Sequence, residues 1–301
     1  MLCEALMPLH PPPTKARTAT SASRNDCHFS FTRPTICAED MIATPNSALG
    51  CGRYRRKAAM GLLLLSSFWT LADQSAPTAQ ARATTAYTAA KQVWQKNPNA
   101  PDAAWQFGRA CFDLAEIDEQ NRARLAQEAI DACRKSLATT NKNAGNHYYL
   151  ALNLGQLART RRLGALKLVE DMEKALKNAI ETDPRFDYAG SHRSLGLLYR
   201  DAPGWPMSIG SRSKAQQHLL KAVQLAPEYP DNHISLIESF IEWADFKPAR
   251  NAVSQAESPI RQARLEFTGD RWKDSWRDWD QRWERIRRRT DADLTSPRGK
   301  Q

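Results

Sequence analysis

From Arg82 to about Arg289 the apolar residues recur three and four positions apart, separated mostly by Ala, Gln, Arg, Lys and Glu. Such spacing, in residues that lose little side-chain entropy in a helix, marks amphipathic helices. No run alternates Val, Ile or Thr between turn residues, and the prolines fall between helical segments, so no strand is expected. The pattern predicts helices over 85–96, 101–118, 121–140, 143–158, 163–182, 187–201, 211–226, 230–244, 246–257 and 268–289.

These segments repeat. Glu170 to Pro184 places Met172, Leu176, Ala179 and Pro184 at the same offsets as Ala215, Leu219, Ala222 and Pro227 in the segment from Arg212. Ala129, Cys133, Ser136 and Asn141 follow the pattern without the proline, and Ala249, Val253 and Ala256 form a degenerate fourth copy. Each is preceded by a second helix: Trp105 to Gly108 with Cys111, Tyr148 to Ala151 with Leu154, Ser194 to Gly196 with Tyr199, and Ser235 to Ile237 with Phe240. A small residue at the crossing point in three of the four lets antiparallel helices approach to about 8–10 Å. This arrangement resembles the tetratricopeptide repeat (TPR), over residues 85 to about 258. The resemblance implies an all-α, right-handed α-α superhelix, a TPR-like solenoid of about four helix pairs plus a C-terminal capping helix.

The period between Gly108, Ala151, Gly196 and Ile237 is 41 to 45 residues, against about 34 in the family. The excess lies in the turns Arg159 to Gly164 and Asp201 to Gly210. The Ala-Pro-Gly-Trp-Pro segment and the Ser-Lys-Ala helix after it are similar to the exported helical subunits associated with tripartite (TRAP) periplasmic transporters. Two prolines and two glycines should make this loop project. Trp205 within it either folds back as a plug between helices or faces a partner, and the plug is the expected outcome because loops with apolar anchors commonly pack on themselves.

Trp272, Trp276, Trp279, Trp283 and Ile286 form one stripe of the last helix and are expected to cap the end of the solenoid. His147, His192 and His233 occupy one position in three successive helices. At about 10 Å per repeat they span roughly 20 Å, too far to share a metal whose ligands lie about 2.1 Å away, so no metal site and no cofactor are expected. Cys111 and Cys133 stand where paired helices face each other in the family and could form a disulfide in an exported protein.

Residues 1–52 are Pro, Ser and Thr rich without periodicity and read as a disordered extension or a mis-assigned start. Within 53–81, Arg53 to Lys57 is basic, Ala58 to Ala72 is apolar, and Ala79-Gln-Ala81 fits a cleavage site, the three parts of a secretory signal removed before Arg82. The chain is therefore expected to be periplasmic or extracellular, with no stable membrane span after cleavage; an uncleaved signal acting as an anchor is the alternative. Residues 82–265 are expected to form the repeat domain, 266–290 the Trp-striped cap and 291–301 a disordered tail.

The formal charge is +10, but residues 1–81 hold eight basic and five acidic residues, leaving 35 and 28 in the remainder. These are interleaved except in Arg285 to Arg289, so nucleic acid is not expected as a partner. No glycine-rich phosphate loop, zinc-type cysteine spacing or nucleophile elbow is present, and the protein reads as a non-enzyme. The leading expectation is a scaffold holding a protein or peptide. The family places the contact face on the first helix of each pair, here Trp105, Arg109 and Phe112, then Tyr148, Leu152 and Gln156, then Arg193, Leu197 and Arg200, then Ile234, Glu238 and Glu242. The alternatives are a transporter accessory subunit enclosing a small ligand and a structural envelope protein.

Overall fold

A computed structural model describes residues 78–140, 142–161 and 164–295. Among them are ten helices: α1 (Ala79–Lys96), α2 (Pro101–Ala115), α3 (Arg122–Thr139), α4 (Ala144–Arg159), α5 (Ala165–Thr182), α6 (Phe186–Asp201), α7 (Arg212–Leu225), α8 (Pro230–Glu242), α9 (Phe246–Glu266) and α10 (Asp270–Thr295). None of these is long and apolar enough to cross a membrane. The basic and apolar parts of the expected signal lie outside the described residues. Thr78 caps α1 by accepting from the Ala81 amide, so Ala79 to Ala81 form its first turn.

The helices pair as the repeat requires. Each of α2, α4, α6 and α8 packs on the helix that follows it, and the four also contact one another in succession, forming an inner layer with α3, α5, α7 and α9 outside. The aligned outer positions point inward: Ala129, Cys133, Leu176, Ala179, Ala215, Leu219, Ala222, Ala249 and Ala256 are all completely buried. The small residue at the crossing has a measurable reason at Gly196. A Cβ there would meet Leu219 Cγ at 2.7 Å and the Ala215 carbonyl oxygen at 3.1 Å, so α6 and α7 reach their spacing only with glycine at that point.

α1 begins at Ala79 instead of 85 and α10 runs to Thr295 instead of 289, and two further elements depart from the sequence pattern. α9 runs through Pro259 to Glu266 instead of ending at 257. Proline removes one backbone hydrogen bond, at a cost of about 3 kcal/mol, but Ala256, Ile260, Ala263 and Phe267 around and beyond it are buried, and that packing offsets the loss. The start of α6 is left-handed, with φ of 52°, 54° and 58° at Asp187, Tyr188 and Ala189. Each such residue costs about 1–2 kcal/mol. The turn stacks Tyr188 on Tyr229 with ring centroids 4.6 Å apart and buries Ala189 completely.

The Trp stripe caps the last pair. Trp272, Trp279 and Ile286 are buried, while Trp276 and Trp283 are half-buried. They join Tyr229, Phe267 and Ile260 in one apolar cluster. α10 contacts α8 more extensively than α9 and thereby extends the inner layer. At the other end of the chain Arg82 reaches Asp274 of α10 at 2.5 Å, so the first and last helices touch.

Candidate partner-binding face

Successive inner helices are tied by polar contacts that recur near the repeat period. Asn153 donates to the Gly108 carbonyl at 2.9 Å, and Arg159 to Glu116 at 2.9 Å. Glu116 also accepts from Gln156. One repeat later Arg193 donates to Asn232 at 2.8 Å and lies 3.2 Å from Asp231. Arg200 bonds Ser239 and pairs with Glu242, both at 3.2 Å. The series ends on α10, where Arg282 donates to Asp231 at 2.6 Å and to Glu238 at 2.7 Å. Sequence separations of 39 to 45 residues in most of these pairs reproduce the repeat spacing.

The residues expected to line a concave face divide into two groups. Phe112, Tyr148, Leu152, Gln156, Arg193 and Ile234 are completely buried, and Leu197 nearly so. The cause is visible in α4, where all fifteen residues from Ala144 to Ala158 are buried, as expected of a helix enclosed on every side. In this conformation no partner reaches those side chains. Trp105 is half-buried, stacked on Tyr149 at 5.8 Å, with its indole N–H donating to Asp102 at 3.0 Å. Arg109 is paired with Asp113 at 3.6 Å. At the ends of α6 and α8, the Arg200, Glu238 and Glu242 side chains are 10 %, 29 % and 58 % exposed. The accessible part of the expected face is therefore split between Trp105 and Arg109 on α2 and a rim of carboxylates at the end of α8, where Glu242 is the most open member.

Asp231, which the sequence reading did not single out, organises the region electrostatically. Its buried carboxylate faces Arg193 from α6 and Arg282 from α10. Burial works against the charge on both guanidinium groups, yet the neighbouring carboxylates outweigh it and hold each more firmly protonated than usual. Asp187, 4.0 Å from Arg193, responds the other way. Burial pushes its carboxyl up, against the opposing pull of Arg193 and Arg109. No spacing in the sequence singles out Asp231, since it stands 38 residues after Arg193 and 51 before Arg282, off the repeat period.

The loop after α6 corrects one expectation. Trp205 is not a plug: it is 89 % exposed, and Met207 is 58 % exposed. Ile209 supplies the apolar anchor instead, packing against the core beside the α5 and α6 residues. The neck is closed by the Gly210 amide donating to the Pro203 carbonyl at 2.8 Å and the Ser211 amide to Tyr199 at 2.8 Å.

Cys111 and Cys133 are free thiols, both buried. Burial pushes the Cys133 thiol up to about 12, so it stays protonated and unreactive at neutral pH. The three aligned histidines have separate surroundings. His192 shares a 2.9 Å Nδ1···Nδ1 hydrogen bond with His218, and His233 Nε2 lies 2.7 Å from the Pro227 carbonyl oxygen.

A family model described as regulator of microtubule dynamics protein 1-3 matches residues 69–199, reaching from before α1 to the end region of α6. No curated protein matches the chain. Among solved structures, TTC0263, a thermophilic TPR protein of Thermus thermophilus, is similar with a TM-score of 0.51 and 21 % identity, over 68 % of this chain and 90 % of that one. MamA is similar with a TM-score of 0.40 and 19 % identity, over 60 % of this chain and 87 % of that one. With its paired helices, inward small residues and repeat-spaced ties, the described chain is an all-α right-handed solenoid of the tetratricopeptide-repeat fold.

Proposed function

We propose that the protein is an exported scaffold that holds a protein or peptide partner along the charged rim where α6 and α8 end. The observation that carries this reading is the accessibility of Glu238 and Glu242, with Arg200 mostly buried beside them, where α6 and α8 end. A rim of fixed charges on a rigid support discriminates partners by electrostatic complementarity and speeds correct encounters. The enclosed helices beneath it serve as the support. Export is supported by the order of basic, apolar and Ala-x-Ala segments in 53–81. N-terminal sequencing of the envelope form should then begin near Arg82, whereas an intact start recovered from the cytosol would remove export from the reading. Cleavage there would trim the first turn of α1 and leave its remaining turns in place.

The scaffold reading is tested by cross-linking from position 242 in the full chain, followed by mass spectrometry of the envelope fraction. A single protein cross-linked from Glu242 and not from a control position such as Leu265, which is also exposed, is the expected result. Cross-linking of the same proteins from both positions, or of none, contradicts it.

A further inference from the structure

The loop between α6 and α7 is a built feature. Its neck is hydrogen-bonded at Pro203 and Tyr199, and Gly210 passes so close to the chain that a Cβ would lie 2.1 Å from the Ala202 carbonyl oxygen. On this fixed support Trp205 and Met207 are held in water. Keeping an indole exposed forfeits its burial energy, and nothing in the loop's own packing requires it, because Ile209 does the anchoring.

The segment that continues from the tip has a consistent chemistry along the chain. Residues 202–227 contain no Asp or Glu, and the outward stripe of α7 carries Lys214, Lys221 and the 39 % exposed Leu220. Arg212 at the start of α7 is paired with Asp245 and lies over the Trp243 ring, and Lys214 lies over the Tyr199 ring. Both keep exposed charge at the foot of the loop. The Trp205 tip protrudes, whereas a protein pocket for an aromatic anchor needs a matching concave partner. A protruding Trp and Met with cations behind them is the arrangement that suits a bilayer interface. Indoles favour the headgroup level, and each cation held near an anionic surface strengthens attachment roughly fivefold.

We infer that the 202–211 loop and the outward face of α7 dock on an anionic lipid surface. Trp205 and Met207 enter the headgroup region, while Lys214 and Lys221 face the lipid phosphates. This goes beyond the scaffold reading, because it concerns the outer helices and not the inner rim.

The test uses the full chain with phosphatidylcholine vesicles, with and without phosphatidylglycerol. The basic Arg53 to Lys57 and the apolar Ala58 to Ala72 can attach to a vesicle by themselves. Every affinity is therefore compared in a full-length background with Leu62 to Leu65 changed to Ser and Arg53, Arg55, Arg56 and Lys57 to Gln, and a readout local to the loop is added. Brominated lipids should quench tryptophan fluorescence in the wild type, and the quenched fraction should drop in Trp205→Phe, which keeps an apolar tip without the indole. Trp205→Ala combined with Met207→Ser should weaken binding to the phosphatidylglycerol vesicles about tenfold with an unchanged melting temperature. Lys214→Glu with Lys221→Glu should abolish the preference for phosphatidylglycerol, and added salt should do the same to the wild type. The inference is overturned by undiminished quenching in Trp205→Phe, or by equal affinity of wild type and tip variant for the vesicles. It is overturned equally if the tip variant loses a protein partner while its vesicle binding is unchanged.

Discussion

Arg282 on the last helix donates to Asp231 on the last inner repeat helix at 2.6 Å, and the same carboxylate faces Arg193 one repeat earlier at 3.2 Å. One buried acid thus links three consecutive inner helices. Breaking a buried pair costs far more than the pair contributes, because an uncompensated charge is left without water. Asp231→Ala should therefore destabilise the protein by about 3–5 kcal/mol, read from chemical denaturation. Trp fluorescence should report loosening of Trp272 and Trp279 in the same transition. A loss below about 1 kcal/mol would show that Glu238 and Asp187 compensate the two arginines on their own.

Ala244, just past the end of α8, has φ of 58° and is exposed. A left-handed residue after a helix is favoured as glycine, and Ala there carries a steric penalty. Ala244→Gly should raise stability by about 1 kcal/mol. A decrease in denaturation midpoint would contradict the backbone assignment at this turn.

The neck of the projecting loop gives a paired comparison. Gly210→Ala should cost about 1–3 kcal/mol, because its Cβ would sit 2.1 Å from the Ala202 carbonyl oxygen. Gly204→Ala should be nearly neutral, since the nearest atom to its Cβ would be 3.9 Å away. Equal melting temperatures for the two variants would mean that the neck yields.

The His192 and His218 pair sets an acid response. Burial, the neighbouring His218 and Lys221 lower His192 to about 4. Burial also lowers His218, with Lys177 and Lys214 adding to it and Glu173 opposing. In the unfolded chain both imidazoles take up protons near their ordinary value of about 6.5, which the folded state resists. The unfolded state then binds more protons, so stability falls as pH drops from about 6.5 toward 4 and the contribution of the pair is flat above that window. His192→Gln should reduce the slope of melting temperature against pH between about 4 and 6.5 as measured by calorimetry. A slope unchanged by the substitution would place the acid response elsewhere.

Seven of the ten helices were legible near their observed bounds because apolar spacing and prolines mark both faces and ends. α1 begins six residues earlier and α10 ends six residues later than expected, and the largest miss was α9, where Pro259 read as a stop. What overrode it was the burial of Ile260, Ala263 and Phe267, a tertiary effect that a local pattern does not contain. The left-handed turn at Asp187 to Ala189 was equally invisible, since neither Tyr188 nor Ala189 is a residue type that favours positive φ. The concave-face positions came from the resemblance to the repeat family, which does not contain their accessibility in this chain. Arg193 and Gln156 sit on those faces, yet the surrounding helices bury them completely. Trp205 illustrates the converse: its hydrophobicity suggested a plug, while in the structure Ile209 packs on the core and the indole faces water.

The most direct measurement is the affinity of the partner cross-linked at position 242 for wild type and for Glu242→Lys. Glu242 is the most exposed of the rim carboxylates, and Arg200 retains Asp201 when it is replaced, so the fold should be unaffected. If the rim holds the partner, charge reversal should weaken binding by roughly tenfold or more while the melting temperature stays constant. Unchanged affinity at unchanged stability would contradict a rim-based scaffold.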